Sequence, residues 1–228
     1  MLNWINKKRK LDDTKDKNKN ARKINEDDDD DDPFRSLFSR PKSDTLYTQN
    51  NHIYFHDDIT DESAISLNKE LRTLEVKLKK SAIESNIVPE PIILHITTNG
   101  GSIYAAFTII DCISQLSITV NTVVDGFVAS AGTLISLAGE TRYISENAYM
   151  LIHELRSGVW GKMSEIEDEY SNLKKMMNHI MDYYNKKTKL TKKALEKILT
   201  KDLIWNAEEC IQNGLVSGVY KPKTLKLS

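Results

Sequence analysis

The sequence is poor in cysteine and has no long apolar run. Its 228 residues include two cysteines, Cys112 and Cys210. Two isolated cysteines make neither a metal site nor a disulfide framework, so we expect reduced thiols in the core. The most apolar stretch, 126–139, is well short of the roughly 20 residues that span a bilayer, which predicts no membrane span. The N-terminus becomes charged at Lys7 before a signal-peptide core can form, so we expect a cytoplasmic protein.

The chain also lacks a large net charge of either sign, since its formal charge at pH 7 is −1. This balance indicates neither nucleic acid nor a membrane as a partner. Charge is instead concentrated in residues 1–45, which hold a basic run, Lys7–Lys10, and an acidic block, Asp27–Asp32. Such a segment has too little apolar surface to offset the conformational entropy lost on ordering, roughly 1–2 kcal/mol per residue. We therefore predict a disordered tail over 1–45 and one domain over 46–228. The basic run also matches a nuclear import signal, which keeps a nuclear location open.

From residue 51 onward the sequence alternates apolar strands, glycine turns and helices. Strands are predicted at 52–56, 91–96, 119–126, 142–145 and 148–153, and helices at 63–81, 103–116, 131–138, 162–187, 190–199 and 206–216. Strand, glycine turn and helix follow one another twice within about 50 residues. This layout predicts an α/β domain with helices packed against a sheet.

The segment 162–187 has a pattern of its own. Apolar residues recur every three or four positions among charges, from Ile166 through Tyr170 to Tyr184. This spacing predicts an amphipathic helix about 40 Å long at 1.5 Å per residue. A helix of that length extends beyond so small a domain, so we expect a second subunit to cover its apolar stripe.

Ser130 lies in the small-residue turn GFVASAG, between a predicted strand and a predicted helix. Small neighbours let the backbone turn sharply and expose the hydroxyl, as a nucleophile requires. Serine at a helix start also caps the helix by accepting hydrogen bonds from backbone N–H groups. On this segment alone, capping is the simpler interpretation.

Two further segments gain meaning only beside such a serine. Gly100 and Gly101 follow a buried strand, and adjacent glycines permit positive φ and close approach of a substrate backbone. A plain glycine turn also explains them. His153 closes the segment AYMLIH, and a lone histidine there becomes catalytic only if a serine and an acid lie within reach.

Together these segments resemble the active-site region of the Clp protease proteolytic subunit family. VDGFVASAGTLISLAGETRYISENAYMLIHEL is similar to the family's serine and histidine segments, HITTNGGSIYAAFTIID to its Gly-Gly turn and helix, and NAEECIQNGLVSGVY to its closing element. The resemblance covers roughly residues 52–222. It implies an α/β Clp protease/crotonase-like fold of repeated β-β-α units, with 162–187 as a protruding handle helix.

The resemblance also implies a serine endopeptidase. In it Ser130 is the nucleophile, His153 the base and Asp202, which stands four residues before the closing element, the acid. The backbone N–H groups of Gly101 and Ala131 form the oxyanion hole, and the chemistry needs no metal or organic cofactor. The implied substrates are short peptides or unfolded proteins, and the implied assembly is a homo-oligomer of rings stacked through the handle helix.

The sequence departs from the family in several places. Asn99 stands where the family has proline, and Glu154 with Leu155 stands where it has Gln-Pro, so we expect a different substrate edge. The axial segment through which the family meets its ATP-driven unfoldase is not recognisable, which leaves an unfoldase partner open.

Three other functions stay open at this point. A catalytically inactive ring subunit would keep the fold as a scaffold. A particle-maturation protease would apply the same chemistry to assembling shells. A crotonase-type acyl-CoA enzyme would share the fold and its paired oxyanion amides. Retention of Ser130, His153 and Asp202 argues against the first and the third, because neither needs that triad.

Overall fold

The computed structural model describes residues 45–221. The tail predicted over 1–45, with its basic run and acidic block, lies outside the described residues except for residue 45, as do residues 222–228. Within the described range no helix combines the length and the apolar character needed to cross a membrane.

The described chain alternates strands and helices. The strands are β1 (Leu46–Gln49), β2 (His52–His56), β3 (Ile92–Thr98), β4 (Val120–Ala129), β5 (Arg142–Ile144), β6 (Tyr149–Ile152), β7 (Leu203–Trp205) and β8 (Gly218–Val219). The helices are α1 (Asp61–Ser85), α2 (Ile103–Gln115), α3 (Ala131–Ser136), α4 (Met163–Lys187), α5 (Lys192–Leu199) and α6 (Ala207–Gln212).

The strands form one mixed sheet in the order β1-β2-β3-β4-β5-β8, with β6 on β4 and β7 on β6. The pairs from β2 through β8 along this order are parallel, and β1 is antiparallel to β2. Strand β4 is long enough to pair with β5 through its first half and with β6 through its second half. This division brings β6, and the antiparallel β7 beside it, to the carboxyl end of β4.

The core lies between the helices and one face of the sheet. Leu94 and Ile96 on β3 are fully buried and so are Leu67 and Leu71 on α1. Each such side chain contributes about 1.5–3 kcal/mol through its burial. The expected thiols in the core are confirmed, because Cys112 and Cys210 are both unpaired and buried.

A polar network links β2, β3 and β4 through His52, His95 and Asp125. On β3, His95 Nδ1 is 2.6 Å from Asp125 Oδ2, and its Nε2 is 2.9 Å from His52 Nδ1. The hydroxyl of Ser145 donates to the second Asp125 oxygen. Burial raises the pKa of Asp125, but the hydrogen bonds from His95 and Ser145 outweigh it and hold that pKa below its ordinary value. The carboxylate is therefore ionised and accepts the Nδ1–H of His95.

Most of the predicted elements are confirmed, and the differences concern the strands. Strand β4 continues to Ala129, through residues 127–129 that were predicted as a turn. Strands β1, β7 and β8 were not predicted. All three are short and only partly buried, so no run of buried apolar residues marks them, and they form because a neighbouring strand offers backbone partners.

Candidate active site

Three parallel strands end at one edge of the sheet, and the candidate site follows directly from them. In β3 and β4, Thr98 pairs with Val128, and in β4 and β6, Ala129 pairs with Leu151. Within one or two residues of the ends of these strands come the Gly100–Gly101 turn after β3, Ser130 after β4 and His153 after β6. Since the carboxyl ends of parallel strands meet at the same edge, segments far apart in sequence converge there.

Ser130 adopts a strained backbone conformation between β4 and α3. Its φ of 55° and ψ of −126° lie outside the regions open to most residues, at a cost of about 1–3 kcal/mol. Hydrogen bonds hold it there. Its N–H donates to the Leu151 carbonyl at 2.9 Å, and its carbonyl accepts from the N–H of Thr133 at 3.0 Å and from the Thr133 hydroxyl at 2.6 Å.

The Ser130 side chain makes no capping hydrogen bond to α3. The helix-capping interpretation of this serine is therefore wrong. A strained serine on a sharp turn between a strand and a helix, with a hydroxyl that is not used to cap the helix, is the arrangement that presents a nucleophile.

Close packing requires a glycine at both positions of the glycine pair, Gly100 against Ser130 and Gly101 against Ile59. Gly100 has a φ of 100°, and a Cβ there would lie 2.7 Å from the Ser130 Cβ. Gly101 has a φ of 141°, and a Cβ there would lie 2.2 Å from the Ile59 carbonyl oxygen. An isolated bridge between Gly101 and Ile59 is closed by the Ile59 N–H and the Ser102 N–H, which leaves the Gly101 N–H out of it.

His153 directly follows the last residue of β6. The next residue is fixed by a hydrogen bond from the Glu154 N–H to the Leu199 carbonyl at 2.9 Å. The Nδ1 atom of His153 is buried and has no hydrogen-bond partner among residues 45–221. A buried imidazole nitrogen without a partner carries a desolvation cost of about 1–3 kcal/mol, which an incoming partner would remove.

Four of the five predicted site residues line one shallow depression of about 30 Å³. Its lining consists of Gly101, Ile103, Ser130, Ala131, Leu134, His153, Glu154, Leu155, Ile180 and Tyr184. Apart from Glu154 and the two predicted catalytic residues, most of the lining side chains are apolar. The depression therefore combines a serine, a histidine and space for a small apolar group.

Asp202, the fifth predicted residue, does not line the depression. It directly precedes β7, and the pair of Leu203 with Ile152 ends the β6–β7 pairing, so Asp202 and His153 are the residues next to that last pair. Its carboxylate accepts a hydrogen bond from Arg156 Nη2 at 2.5 Å. The side chains of this ion pair are 70% and 58% exposed. The acid and the histidine thus follow the same strand pair, while the Asp202 side chain is held by Arg156.

Sequence reasoning missed two features of this site. Arg156 was not singled out, and nothing in its local sequence marks it as a partner of Asp202. Tyr184 was assigned to the apolar stripe of the long helix, whereas its hydroxyl contacts that of Thr133. The two residues lie 51 positions apart, so no local pattern in the sequence marks this pair. Among residues 45–221 no group of three or more His, Cys, Asp or Glu side chains is arranged so that it could hold a metal ion.

Comparison with known proteins places this geometry in a family. The sequence model of the Clp protease family matches residues 42–223. The ATP-dependent Clp protease proteolytic subunit 1 of Chlamydia muridarum is 28% identical over 180 residues, covering 77% of this chain and 89% of that protein. Proteolytic subunit 2 of Treponema denticola is 34% identical over 157 residues, covering 68% of this chain and 78% of that protein.

A solved structure agrees with these relatives. A variant of ClpP1 from Listeria monocytogenes superposes with a TM-score of 0.66 at 26% identity, over 76% of this chain and 93% of that one. The fold predicted from the resemblance, with its Clp protease/crotonase-like architecture, is therefore confirmed. The chain belongs to the Clp protease family and is a serine-type endopeptidase.

Proposed function

We propose that Ser130, His153 and Asp202 form the catalytic triad of this peptidase. The observation that carries the proposal is the common depression that Ser130, in its strained turn, and His153 both line. Ser130 Oγ attacks the scissile carbonyl carbon while His153 removes its proton, and His153 then donates that proton to the leaving amine. In the second step His153 removes a proton from a water molecule, which attacks the acyl carbon. His153 then returns that proton to Ser130 Oγ as the acyl group leaves.

The backbone N–H groups of Gly101 and Ala131 stabilise the oxyanion of the tetrahedral intermediate. Ala131 is the first residue of α3, so its N–H has no partner within the helix. The Gly101 N–H takes no part in the bridge to Ile59. Removal of one such donor typically costs about 10²–10³ in kcat.

Asp202 acts by moving its carboxylate from Arg156 to His153. Two observations support this: Asp202 and His153 each stand next to the Ile152–Leu203 pair that ends the β6–β7 pairing, and the buried His153 Nδ1 has no partner in the described chain. The exposed pair with Arg156 contributes only about 0–1 kcal/mol. A charge-assisted bond from Nδ1–H to the carboxylate is stronger than that, so substrate binding that closes the site would favour the transfer.

The Clp protease family forms oligomeric rings and works with Clp ATPases. For this chain we propose rings stacked through α4. The C-terminal half of that helix is buried through Ile180 and Tyr184, while Met163 is 70% and Tyr170 is 67% exposed in its N-terminal half. Such a stripe favours contact with another subunit. Peptides and unfolded proteins that reach the depression in extended form are the proposed substrates, and a Clp-type ATPase is a partner to be tested for.

A fluorophosphonate probe with a fluorogenic peptide tests the catalytic assignment. We expect wild type to be labelled and to cleave the peptide, and Ser130→Ala to do neither. Ser114→Ala is the matched control, since Ser114 is an exposed serine on α2 whose hydroxyl donates to a backbone carbonyl. Peptide cleavage that persists in Ser130→Ala would refute the proposal, and binding of a CoA thioester without cleavage would favour the acyl-CoA alternative.

A further inference from the structure

Two hydroxyl groups from distant parts of the chain meet behind the nucleophile turn. Tyr184 lies on α4 and Thr133 on α3, 51 positions apart in sequence, and Tyr184 Oη makes a short hydrogen bond with Thr133 Oγ1. Thr133 is fully buried and Tyr184 is 2% exposed. No solvent therefore competes for either hydroxyl.

The directions of these hydrogen bonds follow from the donors available. The Thr133 hydroxyl has one hydrogen and donates it to the Ser130 carbonyl at 2.6 Å. Thr133 Oγ1 must then accept from Tyr184, whose hydroxyl is the donor. Burial raises the pKa of Tyr184 far above its ordinary value, so this hydroxyl keeps its proton across the working pH range. Tyr184 thus donates to Thr133, and Thr133 donates to the Ser130 carbonyl; this chain of two hydrogen bonds is called the relay below.

The relay ends on the residue whose backbone is strained. Ser130 keeps its unusual φ and ψ because its N–H and its carbonyl are both held, and the Thr133 hydroxyl is one of the groups that hold the carbonyl. A Thr133 hydroxyl without a donor of its own is free to rotate toward other acceptors. Tyr184 removes that freedom, because its hydrogen occupies a lone pair of Thr133 Oγ1 and directs the Thr133 hydrogen to Ser130.

We propose that Tyr184 is a positioning residue for peptide hydrolysis, which acts through Thr133 to hold Ser130 in its attacking conformation. The inference rests on the assignment of Ser130 as nucleophile. It also gives α4 a second role, because the helix proposed to join subunits carries the group that orders the nucleophile turn. Displacement of α4 would therefore change the rate of attack by Ser130, although Tyr184 itself makes no hydrogen bond to the substrate.

Tyr184→Phe removes the hydroxyl and keeps the ring that lines the depression. We expect kcat to fall about five- to tenfold, the effect of one lost hydrogen bond, while KM for a short peptide stays within about twofold. The rate of fluorophosphonate labelling at Ser130 should fall in parallel with kcat. Tyr183→Phe is the matched control, because the neighbouring Tyr183 hydroxyl is buried and has no hydrogen-bond partner in the described chain.

Variants of Thr133 separate positioning from packing. Thr133→Val keeps the shape and removes the hydroxyl, and Thr133→Ser keeps the hydroxyl; we expect Ser to retain a clearly larger share of kcat than Val. Adding Tyr184→Phe to Thr133→Val should lower kcat no further, because the relay is already broken. All variants are compared as assembled particles of wild-type mass, with melting temperatures recorded.

The inference is overturned if Tyr184→Phe retains wild-type kcat, if Tyr183→Phe loses as much, or if the double variant shows additive losses. If Tyr184→Phe fails to assemble, the Thr133 Ser-against-Val comparison decides by itself, and equal kcat values there overturn the inference. Failure of the triad assignment has a separate signature, since Ser130→Ala would then remain active whatever the Tyr184 variants show.

Discussion

Replacing Arg156 by alanine tests how Asp202 reaches His153. In the structure Arg156 Nη2 binds the Asp202 carboxylate at 2.5 Å, and His153 Nδ1 lacks a partner in the described chain. If the triad forms when the carboxylate leaves Arg156, the arginine competes with the histidine for the same acid. Arg156→Ala should therefore increase peptidase activity.

The size of the increase follows from the exposure of the pair. Both side chains are more than half exposed, and such ion pairs contribute about 0.2–1 kcal/mol. At 1.4 kcal/mol for each factor of ten, the fraction of molecules with a complete triad rises by at most about fivefold. Salt screens the pair, so wild-type activity should approach that of Arg156→Ala as ionic strength increases.

The assay is kcat/KM on a short fluorogenic peptide at low and high salt, with oligomeric mass measured under each condition. Arg156→Lys, which keeps the charge, and Lys201→Ala, which removes a charge next to Asp202, are the controls, and both should remain close to wild type. A large loss of activity in Arg156→Ala would refute the reasoning, because it would show that the arginine holds the acid in its working position. Asp202→Asn should lower kcat by orders of magnitude in either background.

Two further predictions concern stability and assembly. The pKa of Asp125 is held below its ordinary value, so its ionised form stabilises the fold above about pH 4, and this stabilisation is lost as the pH falls through the lowered pKa. Asp125→Asn should therefore lower the melting temperature at pH 7 and make its fall between pH 5 and 3 shallower; an unchanged melting temperature at pH 7 would contradict this. Replacing both Ile166 and Tyr170 by aspartate should separate stacked rings and halve the particle mass by light scattering, whereas Tyr104→Asp, an equally exposed tyrosine on α2, should not.

The sequence predicted the elements around the site because their signals are local. Glycines at 100 and 101, small residues on both sides of Ser130, and the strand that ends at His153 each follow from a few adjacent residues. The continuous apolar run of β3 and the helical periodicity of α4 are also strong local signals. The short strands β1 and β7 carry none, since their pairing depends on a neighbour supplied by the rest of the sheet.

The partners of side chains were beyond the reach of the sequence. The resemblance assigned Asp202 to the site, and both Asp202 and His153 stand next to the last β6–β7 pair, yet the Asp202 carboxylate is bound to Arg156. An exposed carboxylate selects among nearby cations by small differences in free energy, which depend on the path of the segment that follows β6. Whether the carboxylate moves to His153 stays a prediction.

By itself the sequence determined which residue types stand at the ends of the strands, and hence the family and the chemistry, because turns and apolar periodicity are properties of neighbouring residues. Only the tertiary structure decided that the Tyr184 and Thr133 hydroxyls meet and that Arg156 holds Asp202. Hydrogen bonds between distant segments depend on distances of a few tenths of an ångström, and those distances exist only after the sheet and helices have packed.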